Sequence, residues 1–124
     1  MEIVCRQFPD ILTRESPGAD ERADPVIVCR TCGQVVTDPE QQMTMDGGFV
    51  HAFANPLGQV FEIGCFRQAP GCAAASAAST DFTWFAGYAW QVGICVSCAG
   101  HLGWIFIAGR HRFFGLILER LRFP

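Results

Sequence analysis

Cys29-Arg-Thr-Cys32 and Cys95-Val-Ser-Cys98 carry the clearest chemistry in the chain. Two residues between cysteines let both thiolates of a turn face one ion while backbone N–H groups face the sulfurs, and two such turns complete a closed tetrahedral site. Each pair follows an apolar, strand-like run, VIVCRTCG and GICVSCAG, with a glycine or alanine after the second cysteine. A redox CxxC normally occurs once, so the matched pairs favour a shared structural Zn2+ over thiol–disulfide exchange. The 62 residues between the pairs exceed the roughly 15–20 of a compact zinc ribbon, so the ion is expected to clamp two distant parts of the chain. Cys5, Cys65 and Cys72 bring the count to seven, an odd number that argues against a complete disulfide framework. These three are expected to be buried or incidental thiols.

The aromatic residues form the second constellation. Trp84 and Trp90 lie in DFTWFAGYAW and Trp104 in GHLGWIFIAG, so all three tryptophans fall within 21 residues. Residues two apart on a strand share a face, which places Trp104 with Phe106. If the second CxxC turn reverses the chain, the strand after Trp90 and the strand of Trp104 pair antiparallel, and three indoles can meet beside the metal. Such aromatics commonly fill a core. An indole N–H needs a partner, however, and these three cluster next to a rigidifying metal turn, so a ligand cage is the other reading. His51, His101 and His111 are not needed for a four-cysteine site and are expected to be structural or exposed. The sequence offers no Ser-His-Asp set, phosphate-binding loop or paired carboxylates, so hydrolysis and phosphoryl transfer lack candidate residues.

A chain of 124 residues with 50% hydrophobic composition suits one domain with one core. The net charge of −3 and nine scattered basic residues, all arginine, argue against a nucleic-acid partner. Residues 1–24 read as a polar arm without the basic start and apolar run of an export signal, and 25–124 as the folded domain. The greasy stretch LGWIFIAGRHRFFGLIL is broken by Arg110, His111 and Arg112, so no membrane span is expected, and the expected location is the cytoplasm. The runs FVHAFA and QVFEIGCF flank Asn-Pro-Leu-Gly and predict a hairpin. TDPEQQ reads as a polar linker, APGCAAASAAST as an irregular connection, and FFGLILERLRFP as either a strand or a short amphipathic helix.

The run TWFAGYAWQVGICVSCAGHLGWIFIAG, the later FFGL, both CxxC pairs and Asn55-Pro56 resemble the thalidomide-binding (CULT) domain of the cereblon family, across nearly the whole chain from Cys29. The length is similar to that of single-domain bacterial relatives, with no room for the Lon-like domain or the ubiquitin-ligase docking segment of eukaryotic members. The resemblance implies a mainly β fold, a β-tent of two antiparallel sheets at a steep angle, clasped by zinc on Cys29, Cys32, Cys95 and Cys98. It also implies that Trp84, Trp90 and Trp104 wall a cage with Phe106 at its base. Phe82 and Trp84 would offer backbone groups to an imide edge, Asn55 and Pro56 would come from the loop above, and Thr83 and Phe61 would complete the ligand-binding set. Implied ligands are the glutarimide of thalidomide-type drugs, uracil or uridine, and the C-terminal cyclic imide of damaged proteins. The chain departs from the family at Ala86, where a proline is expected, and at Leu57 and Phe82, where eukaryotic members have histidine.

The expectation is therefore a non-enzymatic binding domain. Two other classes compete with it. A methionine sulfoxide reductase B-like enzyme would need a thiol nucleophile, for which Cys65 in FEIGCFRQA is the candidate, without an evident partner base. An aromatic-cage reader of methylated lysine would need a carboxylate, which Asp81 or Glu62 could supply.

Overall fold

A computed structural model describes residues 24–124; the N-terminal arm and Cys5 lie outside the described residues. Nine strands are described: β1 (Ile27–Cys29), β2 (Val35–Thr37), β3 (Val50–Ala54), β4 (Val60–Phe66), β5 (Cys72–Ala74), β6 (Ala89–Cys95), β7 (His101–Ala108), β8 (His111–Ile117) and β9 (Leu121–Arg122). Short 3-10 turns cover Pro39–Gln41 and Leu118–Arg120. The strands form two antiparallel sheets, a small one in the order β9-β1-β2 and a large one in the order β3-β4-β8-β7-β6-β5. The mainly β expectation holds, and no helix among the described residues is long and apolar enough to cross a membrane.

Period-two alternation decides which residues face which layer, except on β7, where a register shift opposite Gly93 and Ile94 leaves Leu102 as an extra residue and turns it to the face of Ile105. On β7, Leu102 and Ile105 join Phe114 and Leu116 of β8, Phe66 of β4 and the small-sheet residues Ile27, Val36 and Leu121 in one buried cluster. The intervening positions, Phe106 of β7, Phe113 and Ile117 of β8, and Phe61, Ile63 and Cys65 of β4, form a second cluster with Phe85. The large sheet thus buries both faces. One face packs on the small sheet, and the other lies under the segment that carries Trp84 and Phe85.

One expected element is present as read, and three others differ from the expectation. The Asn-Pro-Leu-Gly hairpin is present, with the Asn55 side-chain oxygen accepting from Leu57 N–H (3.0 Å) and Gln59 N–H (2.9 Å). The C-terminal ambiguity resolves as strand β8, one 3-10 turn and strand β9, because Phe114 and Leu116 must face one layer while Phe113 and Ile117 face the other. Residues 69–80 are not wholly irregular: β5 pairs with β6 at Cys72↔Cys95, and Ser79 bridges Trp90. The linker TDPEQQ likewise contains a 3-10 turn, capped by Asp38 accepting from Glu40 N–H at 2.9 Å.

Candidate functional site

The two CxxC turns are built alike. Gly33 N–H donates to Cys29 C=O (2.8 Å) and Cys29 N–H to Gln34 C=O (2.8 Å); Ala99 N–H donates to Cys95 C=O and Cys95 N–H to Gly100 C=O, both at 2.9 Å. Each turn closes through a left-handed residue, Gly33 at φ 80° and Ala99 at φ 62°. The first turn leaves β1 of the small sheet and the second joins β6 to β7 of the large sheet, so the metal ligands bridge the two layers. The four sulfurs lie within 4.8 Å of one another. Cys29 and Cys98 sulfurs are 3.8 Å apart, and those of Cys32 and Cys95 are 3.6 Å apart. Zn–S bonds of about 2.3 Å in a regular tetrahedron place sulfurs about 3.8 Å apart, so the four cysteines can hold a metal ion of that size.

Their protons are already unevenly held. Burial opposes ionisation of Cys95, but N–H groups of Cys98 and Ser97 and the thiols of Cys32 and Cys98 outweigh it and bring the thiol down to about 7. Cys98 moves the other way, to about 11: the Gly100 N–H lowers it, while desolvation and the three neighbouring thiols raise it more.

On the β6–β7 face away from the small sheet, toward the strand ends opposite the second CxxC turn, lies an open cavity of about 420 Å³. Cross-strand register supplies its floor, with Trp90 opposite Phe106 and Val92 opposite Trp104. Trp84 comes from the 81–88 segment, which is anchored by the buried Phe85 against Phe106 (4.9 Å), Phe113 (5.1 Å) and Phe53 (5.3 Å). Asn55 and Pro56 reach it from the β3–β4 turn, and Ser79, Asp81 and Phe82 complete the lining.

The tryptophans are held in place by their polar edges. Trp84 Nε1–H donates to Ala54 C=O (3.1 Å) and Trp90 Nε1–H to Asp81 C=O (2.7 Å). Trp84 also stacks on Phe53 at 5.0 Å and meets Trp104 edge to face at 4.6 Å. Indole faces, rather than N–H groups, are therefore what these two residues present. Phe82 takes φ 55°, unusual for a bulky residue, with its side chain 76% exposed. Among the described residues no hydrogen bond takes up Phe82 N–H, Phe82 C=O or Trp84 N–H.

Of the residues expected in the ligand-binding set, Trp84, Trp90, Trp104, Phe106, Phe82, Asn55 and Pro56 converge on this cavity. Thr83 and Phe61 do not line it. The Thr83 hydroxyl donates to Tyr88 C=O (2.8 Å) and lies 3.3 Å from Phe85 C=O, closing the turn behind the wall. Phe61 is buried beneath Trp104 (5.1 Å) and Trp84 (6.4 Å) as support. Val92 and Ser79 were not anticipated. Val92 follows Trp90 by two on the same strand, which is a readable signal, whereas Ser79 arrives by a bridge to Trp90 that no local pattern announces.

The other described cysteines and the three histidines do not line this cavity. Burial, reinforced by Asp46, pushes the fully buried Cys65 thiol up to about 12, so the nucleophile a reductase reading needs is inaccessible and protonated. Burial and the nearby Cys95 do the same to Cys72, also to about 12. His101 is held below the usual imidazole range by burial, with Arg120 adding to the effect against a bond to Gly103 C=O (3.0 Å). His51 bonds Gly48 C=O at 2.9 Å, and His111 is exposed.

No protein-family model matches the chain. It is similar to protein cereblon of Gallus gallus, 30% identical over 102 residues that cover 77% of this chain and 23% of the relative. It is also similar to protein cereblon of Danio rerio (36% over 79 residues, 60% of this chain, 18% of the relative). Cereblon of Xenopus tropicalis is 34% identical over 80 residues, with the same two shares. The chain spans about a quarter or less of the length of the curated relatives it matches.

Proposed function

Because the chain belongs to the cereblon family through its CULT-type domain, we propose that it is a zinc-clasped binding domain whose aromatic cavity holds a flat cyclic imide or a pyrimidine and does no chemistry on it. The single observation that carries this reading is the convergence of three indoles and Phe106 on one open cavity also lined by Phe82, whose backbone groups no hydrogen bond takes up among the described residues. An imide presents acceptor, donor and acceptor along one edge. Phe82 N–H, Phe82 C=O and Trp84 N–H offer the complementary donor, acceptor and donor, while the indole faces cover the apolar ring. The left-handed backbone of Phe82, a non-glycine residue, is the kind of local strain that accompanies a binding site.

Ring size limits the affinity. A bare imide of about eight heavy atoms, at a ceiling of about 1.5 kcal/mol per atom and after the cost of immobilisation, fits a micromolar dissociation constant better than a nanomolar one. The open mouth suits a ring carried on a larger body, so uridine and a polypeptide ending in a cyclised Asn or Gln are the ligand forms we infer. The metal we assign to the four cysteines is zinc, on its thiolate chemistry and the tetrahedral sulfur spacing. Its part is to fix the angle between the turns that carry β1 and the β6–β7 pair.

A second reading has one observation in its favour: Asp81 lines the cavity, as a methyl-lysine cage would require. Calorimetric titration of the zinc-loaded protein with glutarimide, uridine and a trimethyl-lysine peptide separates the two. Saturable micromolar heat with the imides and none with the peptide is expected. The reverse pattern would replace the imide reading.

A further inference from the structure

Asp81 is the one formally charged residue among the ten that line the aromatic cavity, and none of the other nine is arginine, lysine or histidine. Its main chain is already committed within the protein. Its N–H donates to Ser79 Oγ (3.0 Å), and its C=O accepts from Trp90 Nε1–H (2.7 Å). The backbone of Asp81 is therefore fixed to one wall of the cavity, and among the described residues no hydrogen bond or ion pair takes up its carboxylate. Resting on the cyclic-imide reading above, we propose that Asp81 sets the charge specificity of the site: it selects imides and pyrimidines that are neutral or bear a cationic substituent, and discriminates against anionic ones.

The physical basis is a field rather than a contact. An open, indole-walled cavity with a single negative charge at its lining raises the local concentration of cations and lowers that of anions. No opposing cation in the lining cancels it. A nucleoside would then be favoured over the corresponding nucleotide, because the phosphate adds negative charge at a site with no basic residue to receive it. A ring carrying an ammonium would be favoured over the same ring carrying a carboxylate. With one charge on the ligand about 6 Å from the carboxylate and largely water-like screening, the separation between cationic and anionic forms is about tenfold in affinity at low salt. It shrinks as the Debye length falls below that distance.

Three glutarimides matched in size test this: 3-hydroxymethyl, 3-aminomethyl and 3-carboxylate, each titrated into the zinc-loaded full chain and into Asp81→Asn. Uridine and uridine monophosphate form a parallel pair. The expected result is an order of affinity aminomethyl, hydroxymethyl, carboxylate, with uridine ahead of its monophosphate. The ratio between aminomethyl and carboxylate should fall several-fold in high salt and collapse toward one in Asp81→Asn, whatever that substitution does to the hydroxymethyl probe. Zinc content of the variant confirms that its fold is kept. Equal binding of all three probes would overturn the charge selection while leaving the imide reading intact, as would a ratio that survives Asp81→Asn. Failure of both hydroxymethylglutarimide and uridine to bind would instead remove the imide reading, and the charge selection with it.

Discussion

Gly33 and Ala99 occupy the same place in the two metal turns, and only one of them is a glycine. Both are left-handed, a conformation that costs a residue with a Cβ about 1–2 kcal/mol. Gly33→Ala is therefore expected to destabilise the zinc-loaded protein by about 1 kcal/mol in denaturant unfolding, through strain alone, since a Cβ at Gly33 would meet nothing within 4 Å. An unchanged midpoint would mean that the turn relaxes. At the cavity, Trp104→Ala removes the edge-to-face partner of Trp84 and the cover over Phe61, and is expected to weaken glutarimide binding at least a hundredfold while zinc stays at one equivalent. Loss of zinc in that variant would show that Trp104 supports the clamp as well as the cavity. Iodoacetamide labelling of the native protein near neutral pH should spare Cys65 and Cys72, whose thiols remain protonated up to about 12. Most of these residues were readable in the sequence because they are chemically unusual: four cysteines in two matched turns, and every tryptophan in one short stretch. Thr83 and Phe61 were readable as neighbours but not as supports, since only the turn geometry sends the Thr83 hydroxyl back to Tyr88.

At the level of elements, β7 is the member on which both layers and the cavity depend. Its neighbour β8 approaches so closely that a Cβ on Gly103 would lie 2.1 Å from the Gly115 carbonyl oxygen, so Gly103→Ala must push the two strands apart. The expected outcome is loss of the folded state or destabilisation of more than about 3 kcal/mol, measured by thermal unfolding with zinc present. The β3–β4 hairpin depends instead on one side chain. Asn55→Ala deletes the oxygen that accepts from Leu57 and Gln59 and should cost about 1–2 kcal/mol, with added mobility of Pro56 at the cavity mouth. Hairpin and central strands were legible from alternation and turn residues. The strand β5 was not, because Cys72–Ala74 lies in an alanine-rich run without alternation and becomes a strand only through the edge that β6 offers it. The same holds for the C-terminal segment, whose period is set by the two layers it separates.

For the whole molecule, the four-cysteine site, proposed to hold zinc, ties the two sheets together alongside the buried cluster they share, because its cysteines come from both. Removing the metal with a chelator should destabilise the fold by on the order of 10 kcal/mol and abolish cooperative unfolding, whereas a protein held chiefly by its two hydrophobic clusters would keep a sharp transition. The pH dependence has a definite sign. Zinc displaces thiol protons, and the four-cysteine set holds Cys95 down at about 7 and Cys98 up at about 11, so protons are displaced across the neutral range and metal affinity rises as pH increases and falls as it drops. A competitive chelator titration from about pH 6 to about pH 8 reads this directly, and a flat profile would contradict thiolate ligation by this set. The aromatic cavity is built on β6 and β7, the strands that the second CxxC turn joins, and the most direct test of its role is tryptophan fluorescence of the zinc-loaded protein during titration with glutarimide and with N-methylglutarimide. A saturable change at micromolar glutarimide and none with the N-methyl analogue is the predicted result, since only the first presents a donor to the Phe82 carbonyl. An equal response to both would contradict recognition of the imide edge, and no response to either would leave three tryptophans that only pack.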